Sequence, residues 1–160
     1  MNYNYNKPYD KKNYPNSYRV KSPVKTFRDL YVYQVTIALA NEISKMDFIK
    51  SSEDILELKS LAEKIPKLIA EGYGDRFDDK ELGKNKLTES ITLVSNIITK
   101  LDILREKFSE DKETKETLDK LLLKYVTQKR KILNLRNAWQ RVYKNKDNYE
   151  KEKFSSRKAY

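Results

Sequence analysis

The sequence predicts an all-α fold, an up-down-up-down four-helix bundle with flexible basic N- and C-terminal tails. Three observations predict it. Only three glycines and four prolines occur in 160 residues, against average usage of roughly 7% and 5%. Charged residues make up 36% of the chain, which with so few turn formers reads as long helices joined by few turns. Apolar residues recur at three- and four-residue steps in four separate segments, the period of amphipathic helices. The length fits one ordinary domain.

Residues 1–26 carry Tyr3, Tyr5, Tyr9, Tyr14 and Tyr18 among Asn, Lys and Pro. No period buries them, and Pro8, Pro15 and Pro23 interrupt any helix, so a disordered Tyr/Lys-rich basic arm is expected. The bundle is expected over residues 27–142. Thr26 followed by Asp29 is a capping-box-like pair. It precedes a first helix with Leu30, Tyr33, Ile37, Ala40 and Ile43 on one face, ending near Met46. A second helix opens at Ser51 or Ser52 with Glu53 and Asp54 in its first turn, where the helix dipole favours negative charge. Its stripe is Ile55, Leu58, Leu61 or Ala62, Ile65, and Leu68 or Ile69. Pro66 inside it removes one backbone hydrogen bond and predicts a bend or a weakening, and Gly72 and Gly74 predict its end.

The third helix should start at Asp78, fray at Gly83, and bury Leu87, Ile91, Val94, Ile98, Leu101, Leu104 and Phe108. Ser109 should cap a fourth, with Leu118, Leu121 or Leu122, Tyr125, Ile132, Leu135, Trp139 and Val142 inward. At 1.5 Å per residue the last two helices reach about 45–50 Å and the first two about 30 Å, so the long pair must overhang or break. Residues 143–160 read as a basic C-terminal tail.

Neither histidine nor cysteine is present. Disulfides, the usual zinc sites, histidine-held haem and iron–sulfur clusters are thereby excluded, as are Ser-His-Asp and Cys-His catalytic units. No catalytic residue, metal site or cofactor is expected. No signal peptide or 18-residue apolar run is visible, so a cytoplasmic protein without membrane partners is expected.

The net charge is +10, and it is unevenly placed. Residues 1–26 hold six basic residues and one acid, residues 143–160 six and three, and residues 27–142 hold 22 and 20. One stretch of the body breaks that balance. From Lys120 to Arg141 there are seven basic residues and no carboxylate: Lys120, Lys124, Lys129, Arg130, Lys131, Arg136 and Arg141. Segregated charge of this kind makes a directional field. These seven, with Lys11, Lys12 and Arg19 of the arm, are the candidate nucleic-acid-binding residues, the ammonium and guanidinium groups meeting phosphates. Tyrosines interleaved with lysines could stack on exposed bases. The bland alternative is a solvated helix face, and for the arm a protein-docking or inert tail. Trp139 at helical spacing reads as core or subunit interface.

Two strings carry a resemblance. Phe27-Arg28-Asp29-Leu30 followed by Tyr33, and Ile65-Pro66-Lys67-Leu68-Ile69-Ala70-Glu71-Gly72-Tyr73-Gly74, resemble the four-helix-bundle proteins encoded in intervening sequences of 23S ribosomal RNA genes. The same fold class includes the accessory variability determinants of diversity-generating retroelements. The resemblance implies a homopentamer with a basic surface that binds RNA or DNA, and as its most concrete role an accessory protein of a retroelement reverse transcriptase that binds template RNA and supports cDNA synthesis. The alternatives are an intervening-sequence-type bundle or a protein–protein adaptor with no nucleic-acid role. Arg28, Asp29, Glu71 and the Gly72-Tyr73-Gly74 turn are expected to be structural, Asp29 as a cap and Glu71 as a partner of backbone or arginine.

Overall fold

The computed structural model describes residues 24–46 and 53–157. Arm residues 1–23, including Lys11, Lys12 and Arg19, lie outside the described residues, as do Ser51 and Ser52. Four helices follow in order: α1 Tyr31–Ser44, α2 Glu53–Asp75, α3 Lys80–Lys107 and α4 Lys112–Arg157. α1 packs on α2 and α4, and α3 also packs on α2 and α4, while α1 and α3 lie on a diagonal. The ring of neighbours closes as a four-helix bundle. Its centre is built from every helix: Leu39 and Ile43 of α1, Leu58, Ile65 and Ile69 of α2, Leu87, Val94, Ile97 and Leu101 of α3, and Leu118, Tyr125 and Ile132 of α4 are all fully buried.

Each helix start has a local cause. The Asp29 carboxylate accepts from the Thr26 amide at 2.9 Å and the Lys25 amide at 3.0 Å, but the turn it closes is a short 3₁₀ segment, Phe27–Asp29, ahead of α1. Asp79, one residue beyond the expected Asp78, caps α3 by accepting from the Leu82 amide at 2.9 Å. Asp111 replaces Ser109 at the start of α4. Its carboxylate takes the Glu113 and Thr114 amides at 3.2 and 3.3 Å and the Thr114 hydroxyl at 2.6 Å. A carboxylate at these positions also meets the positive end of the helix dipole, which a serine hydroxyl does less well.

Three expectations are corrected. Gly72 and Gly74 do not end α2, which runs through both to Asp75; Gly72 instead lets α3 approach. Gly83 does not fray α3 but is buried within it, packed against Gly72. The basic tail expected at 143–160 is, over residues 143–157, the continuation of α4. No glycine or proline occurs after Gly83, so nothing in the sequence stops that helix. At 46 residues α4 is about 70 Å long at 1.5 Å per residue. It overhangs every partner beyond Asp147, as the length mismatch required, and Val142, expected inward, is exposed.

Polar groups inside the bundle are invisible to a pattern of apolar residues. Thr36 and Ser90 are buried and return their hydroxyls to their own helix, Thr36 to the Val32 carbonyl at 2.8 Å and Ser90 to the Leu87 carbonyl at 2.7 Å. The Tyr125 hydroxyl is buried without a partner among the described residues. Burial, with the Glu42 carboxylate nearby, pushes that phenol well above its ordinary range. An unmade buried hydrogen bond costs about 1–3 kcal/mol, so Tyr125→Phe should raise stability by about 1 kcal/mol. Urea denaturation checks this: the midpoint should rise at unchanged slope.

Candidate nucleic-acid interface

α4 positions all seven candidate residues of the body, and its neighbours sort them into three groups. Lys120 and Lys124 are already neutralised. The Lys120 ammonium sits 2.8 Å from Glu116 on the preceding turn, and Lys124 bridges to Glu42 of α1 at 2.8 Å. Lys131 and Arg136 are half-buried at the flanks of the helix. The Lys131 ammonium lies 4.1 Å from the centre of the Tyr31 ring, and Arg136 donates to the Thr88 hydroxyl of α3 at 3.2 Å. Lys129, Arg130 and Arg141 are exposed and carry no carboxylate partner among the described residues. Arg130 and Arg141 point away from the bundle, eleven residues apart in sequence and close to three helical turns.

Elsewhere in the bundle, cations are interleaved with carboxylates and many of them pair. Lys86 meets Glu71 at 2.8 Å with Lys67 behind it at 3.9 Å. Lys100 meets Glu57. Lys107 holds Asp54 at 2.9 Å, Lys80 holds Asp147 at 2.8 Å, and Arg105 is shared among Asp102, Glu106 and Asp119. Glu71 thus finds lysine where arginine or backbone was expected. These pairs are mostly half-exposed and individually contribute little. What they do is cancel the field over α2, α3 and the first turns of α4.

Part of the surface lies beyond the stretch that the sequence singles out. The carboxylate-free run does not stop at Arg141 but continues through Lys144 to Lys146, and Lys144 is exposed on the same helix. A boundary at residue 142 consigns these lysines to a tail. The absence of any helix breaker is the signal that joins them to α4.

The N-terminal approach to the bundle lies at the same end as this basic half. The Tyr73 hydroxyl donates to the Val24 carbonyl at 3.0 Å, fixing residue 24 where α2 closes. Arg76 follows, its guanidinium 3.4 Å from the Tyr73 ring centre and 4.1 Å from that of Phe77 and donating to the Tyr73 carbonyl. Lys80, at the start of α3, is held against Asp147 of α4. The bundle end therefore gathers α2, α3, the basic stretch of α4 and the point where residue 24 joins.

A cleft of about 410 Å³ runs between α1 and α4, lined by Tyr31, Val35, Ala38, Leu123 and Gln128 among others. Leu123 at its rim is 65% exposed. Trp139 is half-buried against the core at the far end of α4, because α1 stops short of it.

Acid should weaken the fold. Lys86, hydrogen-bonded to Glu71, holds that carboxyl below its ordinary value. The Thr26 and Lys25 amides do the same for Asp29, Lys107 for Asp54, the Thr114 hydroxyl for Asp111, and Lys80 for Asp147. Folded values below unfolded ones mean their contribution is complete above the ordinary carboxylate range and is lost as pH falls through the folded values. The thermal midpoint should stay level from about pH 7 to 5 and fall below about pH 4, and a level midpoint down to about pH 3 would contradict these assignments.

Among the described residues no helix is long and apolar enough to cross a membrane. No protein-family model, curated protein or solved structure matches the chain.

Proposed function

We propose that the chain is a non-enzymatic nucleic-acid-binding scaffold whose contact surface is the outward basic face of α4. One observation carries the reading. Lys129, Arg130, Arg141 and Lys144 are exposed without carboxylate partners among the described residues, on a run free of acids, whereas elsewhere in the bundle cations are interleaved with acids along each helix and many of them pair. Charge left uncompensated on one face attracts a polyanion, and release of its counterions makes the attraction steeply salt-dependent. A single-stranded RNA of about 30 nucleotides, followed by fluorescence anisotropy, tests it. Four phosphate contacts predict affinity falling about 50-fold between 50 and 200 mM salt, from a slope of roughly 0.7 per contact. No retention at about 50 mM would instead favour a protein–protein adaptor.

In its most concrete form, the scaffold is an oligomeric accessory protein of a retroelement reverse transcriptase that binds template RNA. The support for that role is the resemblance of the Phe27–Tyr33 and Ile65–Gly74 strings, not the charge pattern. Self-association has a candidate surface in the α1–α4 cleft, where Tyr31 and Leu123 are 57% and 65% exposed. Exposed apolar area of that kind favours a partner. Light scattering should give a multiple of the 19.1 kDa protomer mass, five being the number the resemblance implies. A monomer would remove the assembly.

A further inference from the structure

The outward face of α4 carries more than charge. Arg130, Asn134, Asn137, Arg141, Lys144 and Asn148 follow one another at steps of four and three residues and therefore share one face. All six are exposed, and none makes a hydrogen bond or ion pair among the described residues. Over 18 positions of sequence the row spans about 27 Å at 1.5 Å per residue.

Asparagine is out of place on such a face. Its amide competes for backbone groups, which makes it one of the weaker helix formers, and a solvated helix surface is better served by Glu and Lys spaced to pair. The first two turns of α4 show that ordinary solution, with Lys112, Glu113, Lys115, Glu116, Asp119 and Lys120 interleaved. From Lys120 to Lys146 there is no acid, and asparagines take those positions on the outward face. No cap or internal hydrogen bond accounts for Asn134, Asn137 or Asn148. Local choices that oppose the local structure, with nothing gained inside the fold, mark functional positions.

The chemistry of the row matches base edges. An asparagine amide fits the N6 and N7 groups of adenine, and an arginine fork fits the O6 and N7 of guanine, both in the major groove of B-form DNA. That groove, about 12 Å wide, admits an α-helix about 10–12 Å across, whereas the A-form groove of duplex RNA is too deep and narrow. Clearance is present. α1 begins at Tyr31, opposite Lys131, and the Phe27–Asp29 turn packs on α1 and α2 but not on α4. From Ile132 onward no described helix walls the α1 side of α4; α3 lies along the opposite flank, from Asp119 to Asp147, and leaves the outward row uncovered.

We propose that this face is a sequence-reading surface for B-form duplex DNA. Asn134, Asn137 and Arg141 meet base edges, and Arg130 and Lys144 meet the flanking phosphates. The proposal rests on the nucleic-acid-binding reading above and narrows it for this one face.

The test uses the full chain and a pool of DNA duplexes of about 30 base pairs with a randomised centre, at about 100 mM salt. Selection should enrich a motif that binds at least 30-fold tighter than a scrambled duplex, the discrimination of about two bidentate contacts. The double variant Asn134→Ala/Asn137→Ala should bind the motif no better than the scrambled duplex, with its scrambled-duplex affinity and salt slope unchanged. Its helical circular dichroism should hold or increase, since alanine is the better helix former. Three results would overturn the proposal while leaving nucleic-acid binding intact: no motif enriched, full discrimination in the double variant, or equal affinity for the motif as duplex RNA. Failure to bind any duplex or single strand at about 50 mM salt would overturn both.

Discussion

Replacing Lys129, Arg130 and Arg141 together with alanine should lower the salt slope of RNA binding by about 2, roughly 0.7 for each phosphate that no longer meets a cation. This is the largest functional effect expected from any substitution in the body. The three side chains are exposed and lack carboxylate partners among the described residues, so each is free to displace a counterion from the polymer. Alanine at Lys120 and Lys124 should change the slope by less than about 1 in total, because Glu116 and Glu42 already lie 2.8 Å from those ammonium groups. The conservative pair Arg130→Lys/Arg141→Lys separates charge from shape. Phosphate neutralisation needs only a cation, so the slope should be kept, whereas an arginine fork facing a base cannot be replaced by a point charge. An unchanged slope in the triple alanine variant would move the binding surface off α4.

The arrangement of helices was legible because burial in a bundle follows a period that a sequence displays. Ile55, Leu58, Ile65 and Ile69 of α2, and Leu87, Val94, Leu101 and Leu104 of α3, are all buried where the period placed them. The register slips at Ile98, which is half-buried, while Ile97 beside it is fully buried. The true seam of α3 passes through Ser90, and a serine does not register in an apolar stripe. Its hydroxyl is satisfied by the Leu87 carbonyl within the helix, so burying it costs little. Helix ends were less legible. They are decided by which of several neighbouring side chains reaches a free amide, as when Asp79 prevails over Asp78 and Asp111 over Ser109.

The candidate surface was legible as a run and illegible as a face. Sequence alone could count seven cations from Lys120 to Arg141, but it could not show that Lys124 would cross to Glu42, 82 positions away in sequence, or that Arg136 would turn to Thr88 of α3. Compensation by distant residues is a property of the fold. It divides a uniform stretch into paired, half-buried and free groups, and only the last retains its full field in solvent.

The second large effect concerns stability and comes from the closest approach between helices. A Cβ at Gly83 would stand 3.0 Å from the Gly72 carbonyl oxygen and 3.1 and 3.2 Å from the Arg76 Cα and amide nitrogen. A Cβ at Gly72 would meet the Gly83 carbonyl at 3.0 Å. Each glycine makes room for the other's carbonyl, and the obstructing atoms are backbone that no rotamer can move aside. Gly83→Ala gains about 1 kcal/mol of helix propensity against an overpacking cost of about 1–3 kcal/mol. The contact is backbone on backbone, so the cost should win by about 1 kcal/mol, and Gly83→Leu should lose about 3 kcal/mol or more by forcing α2 and α3 apart. Gly74, also helical, faces open space, and Gly74→Ala should raise stability by about 0.5–1 kcal/mol. Opposite signs in urea denaturation are therefore expected for the same chemical change at two glycines. Equal gains at both would show that α2 and α3 have slack where they cross. The disturbance at Gly83 should also reach the basic face, because α3 is fastened to α4 by Lys80 on Asp147 and Thr88 on Arg136. Spreading α2 from α3 pulls on those two ties and reorients the exposed half of α4, so RNA affinity should fall in Gly83→Leu under conditions where the protein remains folded.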